Sequence, residues 1–199
     1  MEGSMTSPDD QMLDLRSVAA TRDGHSEAFG DIVKRYQDRM FNTIYRLVGD
    51  YQEAKDLTQQ TFLRAYMSLD RFKGMSSFYT WLYRIGVNAS LDERKKRSRQ
   101  ARPMGDAFGE TMATDGRRGT PDGADDPAES TLRREREQHV TRAIASLDEL
   151  HRAVLVLRDI EGMEYDRISE VLSVPRGPVK SRLHRARLVL KNKLTDLVQ

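Results

Sequence analysis

The sequence has no cysteine in its 199 residues, which excludes disulfide bonds, thiolate metal sites and direct thiol redox chemistry. No run approaches the roughly 20 apolar residues that a membrane-spanning helix needs. Residues 1–10 lack the basic start and apolar stretch of a secretion signal, so we predict a cytoplasmic protein without membrane insertion. The four histidines have no ligand-like spacing, and no glycine-rich phosphate loop or catalytic triad pattern occurs. The sequence therefore predicts neither an enzyme nor a metal or cofactor site.

The distribution of charge and of turn-forming residues divides the chain into three parts. Residues 101–128 are acidic, rich in Gly, Asp, Pro and Thr, and have no apolar periodicity, which predicts a flexible linker. This linker separates a domain over residues 9–100 from a domain over residues 129–199. The net charge is only +2, but basic residues cluster at 94–102 and along the C-terminal helix. Two basic units around an acidic linker fit contact with a polyanion at two places.

Apolar residues recur at helical spacing in both domains, and no alternating strand pattern is present. The N-terminal domain is predicted to form helices over 11–21, 26–47 and 50–69, followed by a helix that Ser76 or Ser77 caps. The C-terminal domain is predicted to form helices over 129–145, 148–160, 164–172 and 178–197. The fold class is therefore all-α, with two small helical domains.

The last two predicted helices flank a cluster of breakers, residues 173–178, in the layout of a helix-turn-helix. Pro178 falls in the first turn of the second helix, where a missing N–H is tolerated. Near the start of this helix we expect four side chains to face a DNA groove: Lys180, Ser181, His184 and Arg185. Arg187 lies further along and is expected to hold a phosphate. The alternative is an ordinary helical hairpin with a solvated basic face.

Aromatic and basic side chains are interleaved between residues 71 and 88, among them Phe72, Lys73, Tyr79, Trp81 and Arg84. This combination suits single-stranded nucleic acid, because bases stack on rings while cations hold the backbone. The alternative, that the rings build a core, stays open for Tyr79 and Trp81. Phe72 lies on a polar loop beside Gly74, so we expect it outside the core. Asn88, one turn beyond Arg84, could hydrogen-bond an extruded base.

The helix around residues 56–66 carries a mixed polar and apolar strip. Asp56, Gln59, Gln60 and Leu63 are predicted to share one exposed side, with Phe62 and Tyr66 spaced by four residues. Such a strip is a plausible surface for docking another protein. The alternative is a plain amphipathic helix.

Three strings together resemble the extracytoplasmic-function sigma factors of bacterial RNA polymerase. They are DLTQQTFLRAY at 56–66, RFKGMSSFYTWLYRIGVNASLD at 71–92 and LRDIEGMEYDRISEVLSVPRGPVKSRLHRAR from 157 onwards. The order of the strings, with a linker between the second and third, makes the resemblance far more specific than one string alone. It covers nearly the whole chain except the linker and the first residues.

The resemblance implies that the N-terminal domain is sigma region 2, which binds the polymerase clamp and melts the −10 promoter element. The clamp-binding positions would be Asp56, Gln59, Gln60, Phe62, Leu63 and Tyr66. The family usually has Glu at position 60, and an exposed charge pair contributes only about 0–1 kcal/mol, so Gln60 should weaken binding slightly. Phe72 and Asn88 would contact a flipped base, with Lys73, Trp81 and Arg84 nearby.

The resemblance further implies that the C-terminal domain is sigma region 4, which sits on the polymerase flap and reads the −35 element. The matching positions are Arg158, Lys180, Ser181, His184 and Arg185, with Arg187 on the backbone. Several relatives have Arg at position 180, and Lys180 lacks the bidentate fork of arginine. Many relatives are held inactive by an anti-sigma protein, so the resemblance implies such a partner.

We therefore expect a promoter-specificity subunit of RNA polymerase. The first alternative is a stand-alone helix-turn-helix regulator whose N-terminal domain is a partner or sensor module. The second is an RNA-binding or anti-termination factor.

Overall fold

The structure is a computed structural model that describes residues 8–100 and 139–196. The predicted linker 101–128 and the first part of the predicted helix 129–145 lie outside the described residues. Within them, every regular element is a helix. Among the described helices, none combines the length and apolar character needed to cross a membrane.

The N-terminal domain contains four helices, α1 (Pro8–Arg22), α2 (Glu27–Val48), α3 (Tyr51–Met67) and α4 (Phe78–Gln100), and a short 3-10 turn, Leu69–Arg71. These bounds agree to within three residues with every helix bound predicted from the sequence. Gly49 ends α2 in a left-handed conformation with φ of 82°. Asp50 then caps α3, because its side chain accepts a hydrogen bond from the Glu53 N–H at 2.8 Å.

Helix α2 is the centre of this domain and packs against α1, α3 and α4. Its core face is a row of residues at helical spacing that are at most 3% exposed: Ile32, Tyr36, Met40, Ile44 and Leu47. Gly86 lets α4 approach closely, since a Cβ at this position would lie 2.7 Å from the Met40 sulfur. Helices α3 and α4 also pack against each other, so the three helices form one frame.

The C-terminal domain contains α5 (139–145), α6 (Glu149–Leu155), α7 (Tyr165–Leu172) and α8 (Arg176–Asp196). The predicted helix 148–160 is divided, because its second half forms a π-helical turn, Val156–Ile160. Ser173 ends α7 with φ of 53°, and the Ser169 hydroxyl donates to the Val174 carbonyl at 2.5 Å. Pro178 lies in the first turn of α8 as predicted. This is the expected helix-turn-helix geometry.

The two domains pack against each other. Helix α4 contacts α7 and α6, and α2 contacts α6 and the π-helical turn. The buried apolar residues of both domains form one continuous cluster. The sequence pattern predicted two domains but showed nothing of this shared core, because residues that meet in it, such as Tyr83 and Glu161, lie far apart in the sequence.

Candidate nucleic-acid and protein interfaces

The predicted docking strip on α3 is exposed along most of its length. Asp56, Gln59, Gln60 and Leu63 all face solvent, and Leu63 is 58% exposed. Tyr66 continues the strip at 44% exposure, with one edge of its ring against Phe29. An apolar stripe flanked by amides and a carboxylate, on a helix with a rigid back, is suited to binding another protein.

Phe62 departs from this prediction. It is 7% exposed and belongs to the core beneath the strip. Adjacent residues on a helix point about 100° apart, so Phe62 faces the core although its neighbour Leu63 faces solvent. Phe62 thus supports the strip from behind and does not contribute to its surface.

A cleft of about 430 Å³ lies beside the strip, between α3 and α4. Asp56 and Gln60 form part of its wall, and Glu53 lies at the α4 side, where its carboxylate is 2.7 Å from the Arg97 guanidinium. Burial raises the pKa of Glu53, and the nearby Arg97 opposes that rise. The α3 surface is therefore polar and concave on the side of the cleft, whereas Leu63 and Tyr66 make its other side apolar.

The expectation that Phe72 lies outside the core is wrong. Its side chain is 4% exposed and its ring contacts those of Phe78 and Trp81, with centroids 5.4 and 5.5 Å apart. The Arg22 guanidinium, on α1, donates to the carbonyls of Leu69 and Phe72 at 2.6 and 2.5 Å. This contact could not be predicted from the sequence, because the partners are 47 and 50 positions apart.

The same contacts decide between the two interpretations of Trp81 and Tyr79. Trp81 is 7% exposed and Tyr79 is 2% exposed, so both belong to the core in this structure. The rings of Phe72, Phe78 and Trp81 contact one another and form a platform under the loop that follows the 3-10 turn, whereas the Tyr79 ring contacts those of Tyr36 and Tyr83. The sequence was right about the aromatic cluster but did not show which rings face inward.

The exposed part of this loop is its tip. Lys73, Gly74 and Met75 face solvent, Gly74 has φ of 71°, and Met75 is 93% exposed. On the adjacent helix α4, Arg84 is exposed and Asn88 is partly exposed. A cationic and apolar tip beside a guanidinium and an amide can contact a phosphate backbone and an unpaired base. Met75 was missed, although a methionine in a polar turn is a visible anomaly in the sequence.

The start of α8 presents the predicted basic face. Lys180, Ser181, His184 and Arg185 are exposed. The opposite face is buried, with Val179, Leu183 and Ala186 at most 2% exposed. The cationic side of the second helix is therefore turned away from its own domain, as a helix that enters a major groove requires.

Two further predicted DNA contacts, Arg158 and Arg187, are already engaged within the domain. The Arg187 guanidinium forms a bidentate ion pair with Asp159, at 2.9 and 2.5 Å. The Arg158 guanidinium donates to the Met163 carbonyl at 2.8 Å and lies 5.0 Å from the centre of the Tyr165 ring. These contacts occupy part of the hydrogen-bonding capacity of both guanidinium groups, and the ion pair with Asp159 offsets the charge of Arg187.

Two family models match the two domains. Sigma-70 region 2 matches residues 32–100, and Sigma-70, region 4 matches residues 138–190. The chain is 36% identical to the RNA polymerase sigma-H factor of Pseudomonas aeruginosa, covering 95% of this chain and 97% of that protein. It is 32% identical to the ECF RNA polymerase sigma factor SigW of Bacillus subtilis, covering 94% of this chain and 100% of that protein.

The chain belongs to the extracytoplasmic-function sigma factors. It is an alternative sigma factor that directs promoter-specific transcription initiation, and it is not an enzyme. Its C-terminal domain is region 4, the DNA-binding helix-turn-helix region of the family. Within the described residues, no group of three potential ligands could hold a metal ion.

Two solved structures have the same fold. CnrH, solved in complex with the cytosolic domain of CnrY, is 25% identical with a TM-score of 0.64, over 94% of this chain and 97% of that chain. RpoE of Bartonella quintana, solved with the anti-sigma factor NepR, has a TM-score of 0.65 at 23% identity, over 84% of this chain and 96% of that chain. The second likeness bears on the fold alone.

One buried carboxylate of the sigma factor joins region 4 to region 2. Glu161, directly after the π-helical turn, is 5% exposed and accepts hydrogen bonds from three region 2 side chains. The donors are the Arg39 guanidinium at 2.7 Å, the Thr43 hydroxyl at 2.7 Å and the Tyr83 hydroxyl at 3.1 Å. Burial, and then the nearby Glu161, raises the pKa of Tyr79, whose hydroxyl lies 3.5 Å from the same carboxylate. Both carboxylate oxygens of Glu161 therefore accept hydrogen bonds from region 2.

A buried arginine makes the second polar contact between the regions. Arg152, on α6, is 1% exposed and donates to the carbonyls of Ile144 at 3.0 Å and Leu147 at 2.7 Å, and to that of Ala145. It also donates to the Leu47 carbonyl in the last turn of α2. Burial lowers the pKa of Arg152 to about 10, so the guanidinium is charged at neutral pH. These carbonyls lie at the ends of α2 and α5 and in the turn after α5, where the negative ends of the helix dipoles favour a cation.

Proposed function

We propose that this sigma factor docks on the clamp of core RNA polymerase through the α3 strip, Asp56, Gln59, Gln60, Leu63 and Tyr66. The proposal is supported by the exposure of these side chains on a rigid helix and by the large exposed fraction of Leu63. Region 4 sits on the polymerase flap, and the domain bounds are 9–100 and 129–199 with a linker at 101–128. Because polymerase and promoter DNA are its partners, the protein acts in the cytoplasm.

The start of α8 reads the −35 element in the major groove. The observation that carries this proposal is the outward-facing row of Lys180, Ser181, His184 and Arg185, with the buried row behind it. Arg185 can form a bidentate contact with guanine, worth about 1–3 kcal/mol of discrimination. Lys180 supplies charge without that fork geometry. Arg158 and Arg187 hold the adjacent phosphates once they are released from their partners in the domain.

The loop tip and the adjacent face of α4 contact the −10 element. Lys73 and Arg84 hold the single-stranded backbone, and Asn88 hydrogen-bonds an extruded base. Phe72 and Trp81 keep the loop in place from beneath, since both rings are buried. Extruding a base costs a few kcal/mol of stacking, which contacts from an apolar tip and hydrogen bonds can offset.

An anti-sigma protein regulates this sigma factor. This part of the proposal is supported by the likeness to CnrH, which was solved in complex with the cytosolic domain of CnrY. Because the chain has no cysteine, it cannot sense redox state through a thiol, and such sensing would belong to the partner.

The test is transcription by purified core polymerase on a genomic template library, with and without the chain. We expect promoter-specific transcripts only when the chain is present, and permanganate-reactive thymines in the −10 region. A matched gel shift of promoter DNA with the chain alone should show weak binding that core polymerase strengthens. Tight binding without polymerase and no specific transcript would instead identify a stand-alone regulator.

A further inference from the structure

The regions of this sigma factor meet through a contact that a promoter-bound form cannot keep. This inference rests on the proposed function, in which α4 reads the −10 element and α8 the −35 element. The two elements are centred about 25 base pairs apart, which is about 85 Å of duplex at 3.4 Å per base pair. In the structure α7 packs against both α4 and α8, and these helices are 23 and 21 residues long.

These contacts limit how far apart the two reading surfaces lie. Packed helices have axes about 8–10 Å apart, and each helical residue adds about 1.5 Å along an axis. A path from Asn88 along α4, along α7 and along α8 to Arg185 is therefore at most about 65 Å long. A duplex of this length is stiff, so bending it until the two elements are as close as the two reading surfaces would cost a large free energy. The regions have to separate before both elements are bound.

We propose that Glu161 is an intramolecular latch that holds the free sigma factor closed, so that region 4 inhibits promoter recognition by its own chain. Its carboxylate is the one acidic side chain of the described region 4 residues that is buried, and all three of its closest donors belong to region 2. The Arg39 contact is also an ion pair, with the Glu161 side chain 4% exposed. Charge-assisted bonds of this kind are about twice as strong as neutral ones.

The latch exists only in the closed form, because the carboxylate lies on region 4 and its donors lie on region 2. When the regions separate, the Glu161 carboxylate loses all three donors together, because each of them lies on region 2. A polymerase-bound form offsets that loss with its own contacts. The apparent affinity for core polymerase is therefore reduced by the fraction of molecules that are open.

The first test measures the distance between the regions in the full chain. Since the protein lacks cysteine, spin labels can be placed at Gln37→Cys on α2 and Leu188→Cys on α8, both exposed positions. We expect one short distance in the otherwise unchanged chain and a broad, longer distribution with Glu161→Gln. Glu170→Gln, the same change at an exposed position on α7, is the matched control and should keep the short distance. An unchanged distance distribution for Glu161→Gln would show that this residue is not the latch.

The functional arm compares the affinity for core polymerase. We expect Glu161→Gln to bind core polymerase about ten-fold more tightly than the unchanged chain, since losing one charge-assisted hydrogen bond shifts an equilibrium by about that factor. Glu170→Gln should bind as the unchanged chain does. Equal affinities for all three proteins would overturn the proposed inhibition even if the label distances differ.

The second test locks the closed form without altering Glu161. A Cβ at Gly49 would lie 3.4 Å from the Ala145 Cβ, close to the Cβ separation of about 3.8 Å in a disulfide. The double variant Gly49→Cys, Ala145→Cys should give no promoter-specific transcript when oxidised and recover on reduction. The reduced protein controls for the strain of a cysteine at the left-handed Gly49. Full transcription by the oxidised protein would refute the latch, whereas loss of transcription in both states, together with an inactive unchanged chain, would refute the proposed function.

Discussion

Replacing Arg152 with methionine should destabilise this sigma factor strongly, although the side chain is buried and lies outside the exposed surfaces described above. The guanidinium donates to four backbone carbonyls, one in region 2 and three in region 4. Hydrogen bonds that involve a charged group contribute about 1.5–3 kcal/mol each, which gives a lower value of about 6 kcal/mol for four. Methionine keeps most of the volume but satisfies none of these carbonyls.

The free-energy cost of burying the charge of Arg152 must be subtracted from this value. Burial lowers the pKa of Arg152 from 12.5 to about 10. At about 1.4 kcal/mol for each pKa unit, that shift corresponds to roughly 3 kcal/mol. The net loss on substitution is therefore about 3 kcal/mol, a large part of the 5–15 kcal/mol that typically stabilises a folded protein.

Urea unfolding followed by circular dichroism measures this loss. With an m-value of about 2 kcal/mol/M, the midpoint of Arg152→Met should fall by about 1.5 M. Arg142→Met is the matched control, because Arg142 is exposed on α5 and its loss should change the stability by less than about 0.5 kcal/mol. If the two variants unfold at the same urea concentration, the four carbonyl contacts do not stabilise the protein and the reasoning is wrong.

Four further predictions concern the exposed surfaces and one buried acid. Leu63→Ala should weaken core polymerase binding by about 5–30-fold through lost apolar contact, as measured by fluorescence anisotropy, and an unchanged Kd would contradict the α3 surface. Arg185→Ala should lower transcription at least about ten-fold on a promoter with its −35 element and leave core binding intact; an equal loss on scrambled −35 sequences would argue against base reading. Asp159→Asn should free Arg187 for a phosphate, so the slope of log affinity against log salt should steepen by about 0.9 in holoenzyme binding to promoter DNA; an unaltered slope would exclude that contact. Burial raises the pKa of Asp14, so its stabilising contribution is present below the unfolded pKa and is lost as pH rises through the folded pKa; relative to Asp14→Asn, the unchanged chain should lose stability from acidic towards neutral pH in urea unfolding, and a constant difference would refute the shift.

The sequence predicted those parts of the fold that depend on local order. Helix bounds, the cap at Asp50, the place of Pro178 and the outward face of α8 follow from apolar spacing and turn chemistry within a few residues. The same holds for the α3 strip, except that Phe62 sits on the adjacent, buried side. These features are local because the hydrogen bonds and packing patterns that set them repeat every three to four residues.

The sequence could not predict contacts that the tertiary fold creates. Phe72 is buried because Arg22, on another helix, holds its carbonyl and because Phe78 and Trp81 provide a surface for its ring. In the sequence Glu161 looks like an ordinary loop acid, because its three donors, Arg39, Thr43 and Tyr83, lie 122, 118 and 78 positions away. Solvent exposure of a loop residue is decided by such partners and not by the polarity of its neighbours.

The aromatic platform under the loop of residues 73–75 separates two demands that often conflict. Folding depends on the rings below, while Lys73, Gly74 and Met75 make few contacts with the rest of the chain and stand in solvent. Side-chain changes at positions 73 and 75 therefore cost the fold little, as surface substitutions generally do. A duplicated copy of this protein could therefore acquire a different preference for an unpaired base through substitutions at these two positions, without a compensating mutation that restores folding stability.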